Sequence, residues 1–203
     1  MSKAVIFDWG GVLMRTRDYS PRLAWDKRLG LLPGSVERVV HGLPEWIEVQ
    51  LGQRDPDTYW QAVAEQLHLP TEMLPLLQSD FYRGDRLDED LVILIRRLRM
   101  GGIRVALLSN NGPDLLDQIE ALGLSDLFDA VVISCQIGQM KPHIGAYLTT
   151  LGKLAVSPER SLLIDDSEAN VEGARAAGMA AIRFYPDLDL MSALEQWLSA
   201  TSP

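Results

Sequence analysis

The 203-residue chain holds 28 acidic and 19 basic residues, a formal net charge of −9, with 47% apolar and 23% charged residues. That balance excludes general binding to nucleic acid, which needs a broad Lys/Arg surface, and no apolar run approaches the roughly 18 residues required to cross a bilayer. The single cysteine, Cys135, excludes an internal disulfide and suits a reducing compartment, and the charge at Asp8 breaks the first apolar run too early for a signal peptide, so a cytoplasmic location is expected.

The length fits one domain with room for an insertion. The first apolar run, 4–7, is followed by a stretch from about 15 to 83 with helical patterning and no convincing strand. Within it, Trp60, Val63, Ala64 and Leu67 form one stripe of a helix over 59–67. Four more apolar runs follow, at 103–108, 130–134, 161–164 and 180–184. All five are continuously apolar rather than alternating, as in strands buried on both faces of a parallel sheet. Between the last four runs the spacing is helical. Pro113 opens a helix with Leu115, Leu116, Ile119 and Leu122, closed by Gly123. A second carries Ile144, Tyr147, Leu148 and Leu151, closed by Gly152, and a third Val171, Ala174 and Ala177, closed by Gly178. A last helix spans 188–198. The expected fold is α/β, a parallel sheet with right-handed crossovers and a small helical cap inserted after the first strand, with 1–14 and 84–203 as the core and 15–83 as the cap. Trp25, Trp46 and Trp60 are expected in the cap's core or in contacts between cap and sheet, not in an aromatic ligand box.

In open parallel sheets, ligands bind outside the carboxyl ends of the strands. The first strand ends in Asp8-Trp9-Gly10-Gly11, either an ordinary turn or a carboxylate held where backbone approaches a ligand closely. The second ends in Ser109-Asn110-Asn111-Gly112, either helix capping or an anion site made of a hydroxyl, amides and free N–H groups. After the third comes Lys141-Pro142, where the lysine is either solvated or held in place. The fourth ends in Asp165-Asp166-Ser167-Glu168. Two like charges about 4 Å apart cost about 4 kcal/mol at an effective dielectric near 20, and helix capping explains only one of these two. If all these strands share a sheet, Asp8, Asp165 and Asp166 crowd one crevice and demand a hard cation, Mg²⁺, opposite an anion pocket of Ser109, Asn110 and Lys141. That is the equipment for phosphoryl transfer through an aspartyl-phosphate.

With its four motifs in this order, the chain resembles the haloacid dehalogenase (HAD) superfamily, in its phosphatase-like branch with a small helical cap. The resemblance implies a Rossmann-like doubly wound sheet. It also implies Asp8 as nucleophile, with Asp8, Asp166 and the Gly10 carbonyl as Mg²⁺ ligands and Asp165 at the same ion directly or through water. Ser109 and the Asn110 N–H would hold the phosphoryl group, and Lys141 would neutralise both it and Asp8. One position departs from the pattern. The family's phosphatases usually carry a second Asp two residues after the nucleophile, which protonates the leaving group, and here that position is Gly10. General acid–base help is worth 10²–10⁴-fold, so a slow phosphatase acting on a small phosphorylated metabolite is the first expectation. A 2-haloacid dehalogenase or a phosphonatase-type hydrolase remains an alternative, and so does a non-catalytic binding module. Schiff-base chemistry of the phosphonatase kind would need a cap lysine, and Lys27 is the only one there. His143 is expected at a helix start, and His41, His68 and Arg15 have no assigned role. The substrate and the oligomeric state are not legible.

Overall fold

Five strands, each paired in parallel with its neighbours, build the main sheet of the computed structural model, which describes residues 2–200. In chain order, β1 (Ala4–Phe7) leads to the short β2 (Met14–Thr16). Five helices follow: α1 (Ser20–Arg28), α2 (Ser35–Gly42), α3 (Pro44–Gln50), α4 (Pro56–Gln66) and α5 (Leu74–Tyr82). The chain then returns through β3 (Asp85–Leu87), α6 (Glu89–Met100), β4 (Arg104–Ser109), α7 (Leu115–Ala121), β5 (Ala130–Ile133) and the single turn α8 (Ser134–Ile137). It finishes with α9 (Ile144–Leu154), β6 (Ser161–Asp165), α10 (Glu168–Ala176), β7 (Ala180–Arg183) and α11 (Leu190–Ala200). The sheet order is β5-β4-β1-β6-β7, with Phe7 level with both Leu107 and Ile164. This is a doubly wound, Rossmann-like α/β fold.

The continuous apolarity of the strands has a direct cause. Val5 and Phe7 face one core with Ile95 and Leu194, while Ala4 and Ile6 face another with Tyr147 and Leu151. Both faces are covered by helices, so neither strand face can be polar. The five helices of residues 20–82 have a separate core, in which Trp25, Val40, Tyr59, Trp60, Leu77 and Phe81 are buried and Trp46 packs against its edge. Local signals set several helix starts. Asp55 accepts from the Asp57 and Thr58 N–H groups ahead of Pro56, and Asp88 accepts from the Leu91 N–H. Among the described residues, no helix is long and apolar enough to cross a membrane.

Several expectations need correction. β2 pairs antiparallel with β3 as a two-stranded ribbon beneath the five helices, although no strand is readable near residue 15; three residues are too few to show alternation. Gly152 lies inside α9, which ends at Leu154 with Ala155 in the left-handed region at φ 52. Extending the helix past Gly152 brings Leu154 into the core. The buried stripe runs through Ala146, Tyr147, Thr150 and Leu151, so Ile144 and Leu148, expected on it, are each 48% exposed. Ser134 starts α8 rather than ending β5.

Candidate active site

The parallel register delivers the polar groups to one edge. Asp8 follows β1 directly, and its N–H donates to the Ile164 carbonyl at 3.0 Å. Ser109 is the last residue of β4 and Asp165 the last of β6. Carboxylate oxygens of Asp8, Asp165 and Asp166 lie within 4.8 Å of one another. The buried ammonium of Lys141 sits between two of them, 2.9 Å from Asp8 Oδ1 and 2.6 Å from Asp165 Oδ2. The Trp9 N–H also donates to Asp8 Oδ1, at 2.7 Å.

Asp165 differs from its neighbours because both of its oxygens are taken by protein donors. Oδ2 accepts from Lys141, and Oδ1 accepts from the Ser167 N–H at 2.9 Å and from Asn170 Nδ2 at 3.0 Å. Asp166 is the exposed member of the trio. It reaches the site because Gly11, at φ +77, has no Cβ; one added there would collide with the Asp166 carboxylate.

Burial pushes the Asp8 carboxyl up to about 6, and the nearby charge of Asp165 adds to this against the pull of Lys141. Asp166 is also raised, by burial and by Asp165. Lys141 is lowered by burial, but the two carboxylates more than offset this and hold it charged, above its ordinary value. The site therefore stores repulsion between carboxylates that its one ammonium does not cancel.

The loop after β4 is tied down on several sides. Asn110 clamps the Lys141 backbone, with Nδ2 donating to its carbonyl and Oδ1 accepting from its N–H, both at 2.8 Å. The Asn111 N–H donates to Ser134 Oγ at 3.0 Å, and Gln50 Nε2 on α3 donates to the Asn110 carbonyl at 2.8 Å. All the motif residues expected from sequence thus meet at one edge. Asn110 is a clamp on Lys141 as well as a loop residue, which its place in the motif did not reveal. Asn170, five residues past Asp165 and given no role by the sequence, orients Asp165.

A cavity of about 710 Å³ opens above this edge, between the sheet and the five-helix layer, and Gly10 lines it. Arg22, Glu37, His41 and Asp85, which carried no signal in the sequence, line it too, as does Arg15. They come from α1, α2, β2 and β3, and only packing brings them together. His143 caps α9 as expected, with Nδ1 accepting from the Gly145 N–H at 3.1 Å.

A family model described as haloacid dehalogenase-like hydrolase matches residues 2–178. A phosphatase of Mycobacterium tuberculosis is 37% identical over 187 residues, covering 88% of this chain and 85% of that protein. A sesquiterpene phosphatase of Aspergillus oryzae is 27% identical over 195 residues, covering 96% and 95%. An enzyme of the HAD family from Bacteroides thetaiotaomicron, crystallised with magnesium and inorganic phosphate, shares the fold with a TM-score of 0.76 at 18% identity, covering 95% of this chain and 99% of that one. Together with the carboxylate cluster at the mouth of a parallel sheet, the match over residues 2–178 shows that the chain belongs to the haloacid dehalogenase-like hydrolases.

Proposed function

We propose that this hydrolase is a Mg²⁺-dependent phosphatase that cleaves a small phosphate monoester through an aspartyl-phosphate on Asp8. The observation that carries the reading is the ammonium of Lys141 clamped between Asp8 and Asp165, with Asp166 close by and the loop of Ser109 and Asn110 opposite. In this reading, residues 1–14 and 84–203 form the catalytic core and residues 15–83 a cap over it.

The residues fit Mg²⁺: three carboxylates gather closely, Gly11 makes room for the third, and two of them are raised by burial and mutual repulsion that a cation relieves. Asp8, Asp166 and the Gly10 carbonyl would hold the ion, with Asp165 near it. When bound, Mg²⁺ neutralises charge developing on the phosphoryl oxygens. The protein's own groups do the rest. Trp9 N–H and Lys141 hold Asp8 Oδ1, which leaves Oδ2 to attack phosphorus. The ester P–O bond then breaks, and the leaving alkoxide takes its proton from water, because Gly10 offers none. Ser109 and the Asn110 N–H hold the transferring group near Lys141. Water hydrolyses the aspartyl-phosphate, releasing phosphate and restoring Asp8. An Asp8→Asn protein should lose hydrolysis of phenyl phosphate in Mg²⁺ buffer; undiminished turnover would remove Asp8 from the mechanism.

Gly10 also suits a hydrolase whose leaving group needs no proton, such as a halide. Halide release from 2-haloacids in EDTA would favour that reading, but it would leave the repulsion around Asp166 without a purpose.

Two further outcomes are expected. With its pKa raised to about 6, Asp8 keeps its proton at pH 5 and must release it to take up Mg²⁺. Affinity should fall roughly tenfold per pH unit below 6, with proton release on binding near pH 6. Calorimetry in buffers of differing ionisation heat measures both, and a flat profile from pH 5 to 8 would count against Asp8 as a ligand. Gly11→Ala should weaken Mg²⁺ binding on the order of 10–100-fold, as when groups that orient metal ligands are disturbed, since the new methyl displaces Asp166. Titration of both proteins with Mg²⁺ at pH 8 checks this.

A further inference from the structure

Beyond the carboxylate edge, the same cavity is walled by Arg22, Glu37, His41 and Asp85. Arg22 is a buried cation on that wall, 5% exposed, and each of its three nitrogens has an acceptor. Nε donates to the Phe81 carbonyl at 2.8 Å, and the two terminal nitrogens donate to Glu37 Oε1 at 3.1 Å and to Asp85 Oδ1 at 2.9 Å. Its plane lies 4.0 Å over the Phe81 ring. Two carboxylates therefore face one guanidinium, and the group carries a net negative charge. Asp85 Oδ1 also accepts from Thr16 Oγ1 at 2.7 Å, so its charge is turned inward.

The other cations lining the cavity are committed too. Arg15 pairs with Asp88, which the half-exposed, solvated Arg17 also reaches at 3.5 Å, and Lys141 holds Asp8 and Asp165. His41 is held towards its neutral form by burial and by the charge of Arg22. Among the described residues, no cation on the cavity wall lacks a carboxylate partner. Besides the carboxylates, what remains is uncharged: aromatic surface from Tyr19, Trp46, Tyr82, Phe184 and Tyr185, with neutral polar side chains such as Gln50 and Gln118 among it.

A second anionic group on the substrate would have to lose its water here with no free counter-charge, beside Glu37 and Asp85, which is costly. An uncharged body loses only weakly held water against the aromatic rings and gains their contact area. From this charge-compensated wall we infer that the substrate is the phosphate monoester of an uncharged alcohol with an aromatic or apolar body, and that Arg22, Glu37 and Asp85 reject esters bearing a carboxylate or a second phosphate. The inference rests on the phosphatase reading for the position of the phosphoryl group.

The test uses the full chain with Mg²⁺ at pH 7.5 and measures both turnover and binding. Turnover compares phenyl phosphate with 4-carboxyphenyl phosphate, and calorimetry compares the non-hydrolysable phenylphosphonate with 4-carboxyphenylphosphonate. The uncharged member of each pair should be favoured at least ~10-fold, the scale set by placing an unpaired charge in a partly dry site. Glu37→Gln, which removes one of the two carboxylates on Arg22, should narrow the ratio by raising kcat/KM for the carboxylated ester. Equal or better handling of the carboxylated compounds by the wild-type protein would overturn the inference. Preferential binding of phenylphosphonate without any ester hydrolysis would sink the phosphatase reading and the ester assignment with it, and would support only the selection against a second charge at this wall. Failure of both phosphonates to bind would overturn it.

Discussion

Replacing Lys141 with methionine is expected to cost about 3–5 kcal/mol of stability near pH 8, because it removes the counter-ion from two buried carboxylates. Lys141 is 3% exposed, and its ammonium lies within 2.9 Å of Asp8 and 2.6 Å of Asp165. The loss should shrink on acidification. Burial already lifts Asp8 to about 6, and Lys141 opposes that lift, so without the ammonium the carboxyl moves higher still. The folded variant then binds more protons than the unfolded chain from the ordinary carboxylate range up to that raised value. Stability present below this window is lost as pH rises through it. Denaturant unfolding of both proteins in EDTA at pH 5 and pH 8 measures the difference. A variant as stable as the wild type at pH 8 would show that the clamp is not what holds the two carboxylates together. Phosphate-ester hydrolysis should vanish as well, since both Asp8 and the phosphoryl group lose their counter-charge.

Gly10→Asp is expected to act in the opposite direction, raising kcat for a poor leaving group by 10²–10⁴-fold, the usual worth of general acid–base help. The position stands two residues beyond Asp8 and lines the cavity. A Cβ added there meets nothing within 4 Å, and the left-handed region that constrains Gly11 does not apply to Gly10. Nothing in the surrounding packing therefore requires glycine at position 10. The gain should be large for phenyl phosphate and small for 4-nitrophenyl phosphate, whose leaving group departs without a proton. Steady-state kinetics on the two esters separates the cases. An unchanged kcat for phenyl phosphate would mean that proton delivery does not limit the reaction, and that something other than Gly10 sets the rate.

How much of this was legible beforehand depends on the range of the interaction involved. The five main strands could be read because each must be apolar on both faces, a local demand that leaves its mark on four to six consecutive residues. The β2–β3 ribbon could not, because three-residue strands with half-buried side chains leave too short a pattern. Gly152 was misread as a helix end because glycine commonly stops helices; here the burial of Leu151 and Leu154 against the sheet outweighs its poor propensity, worth about 1 kcal/mol. Asp8, Ser109, Lys141, Asp165 and Asp166 stood out because a strand end is a place where the chain announces its own geometry.

The amino-acid order alone determined the parallel α/β core, the edge on which its acidic and basic groups would gather, and the missing carboxyl at position 10, since each follows from residues adjacent in the chain. Only the tertiary structure decided that Asp165 spends both oxygens on Lys141, Ser167 and Asn170, that Asn110 clamps the lysine backbone, and that Arg22 is silenced by Glu37 and Asp85. The reason is physical. Whether a charge is available or already compensated depends largely on partners distant in the chain, Lys141 for Asp165 and Glu37 and Asp85 for Arg22, brought within about 3 Å by packing, and no local pattern records them.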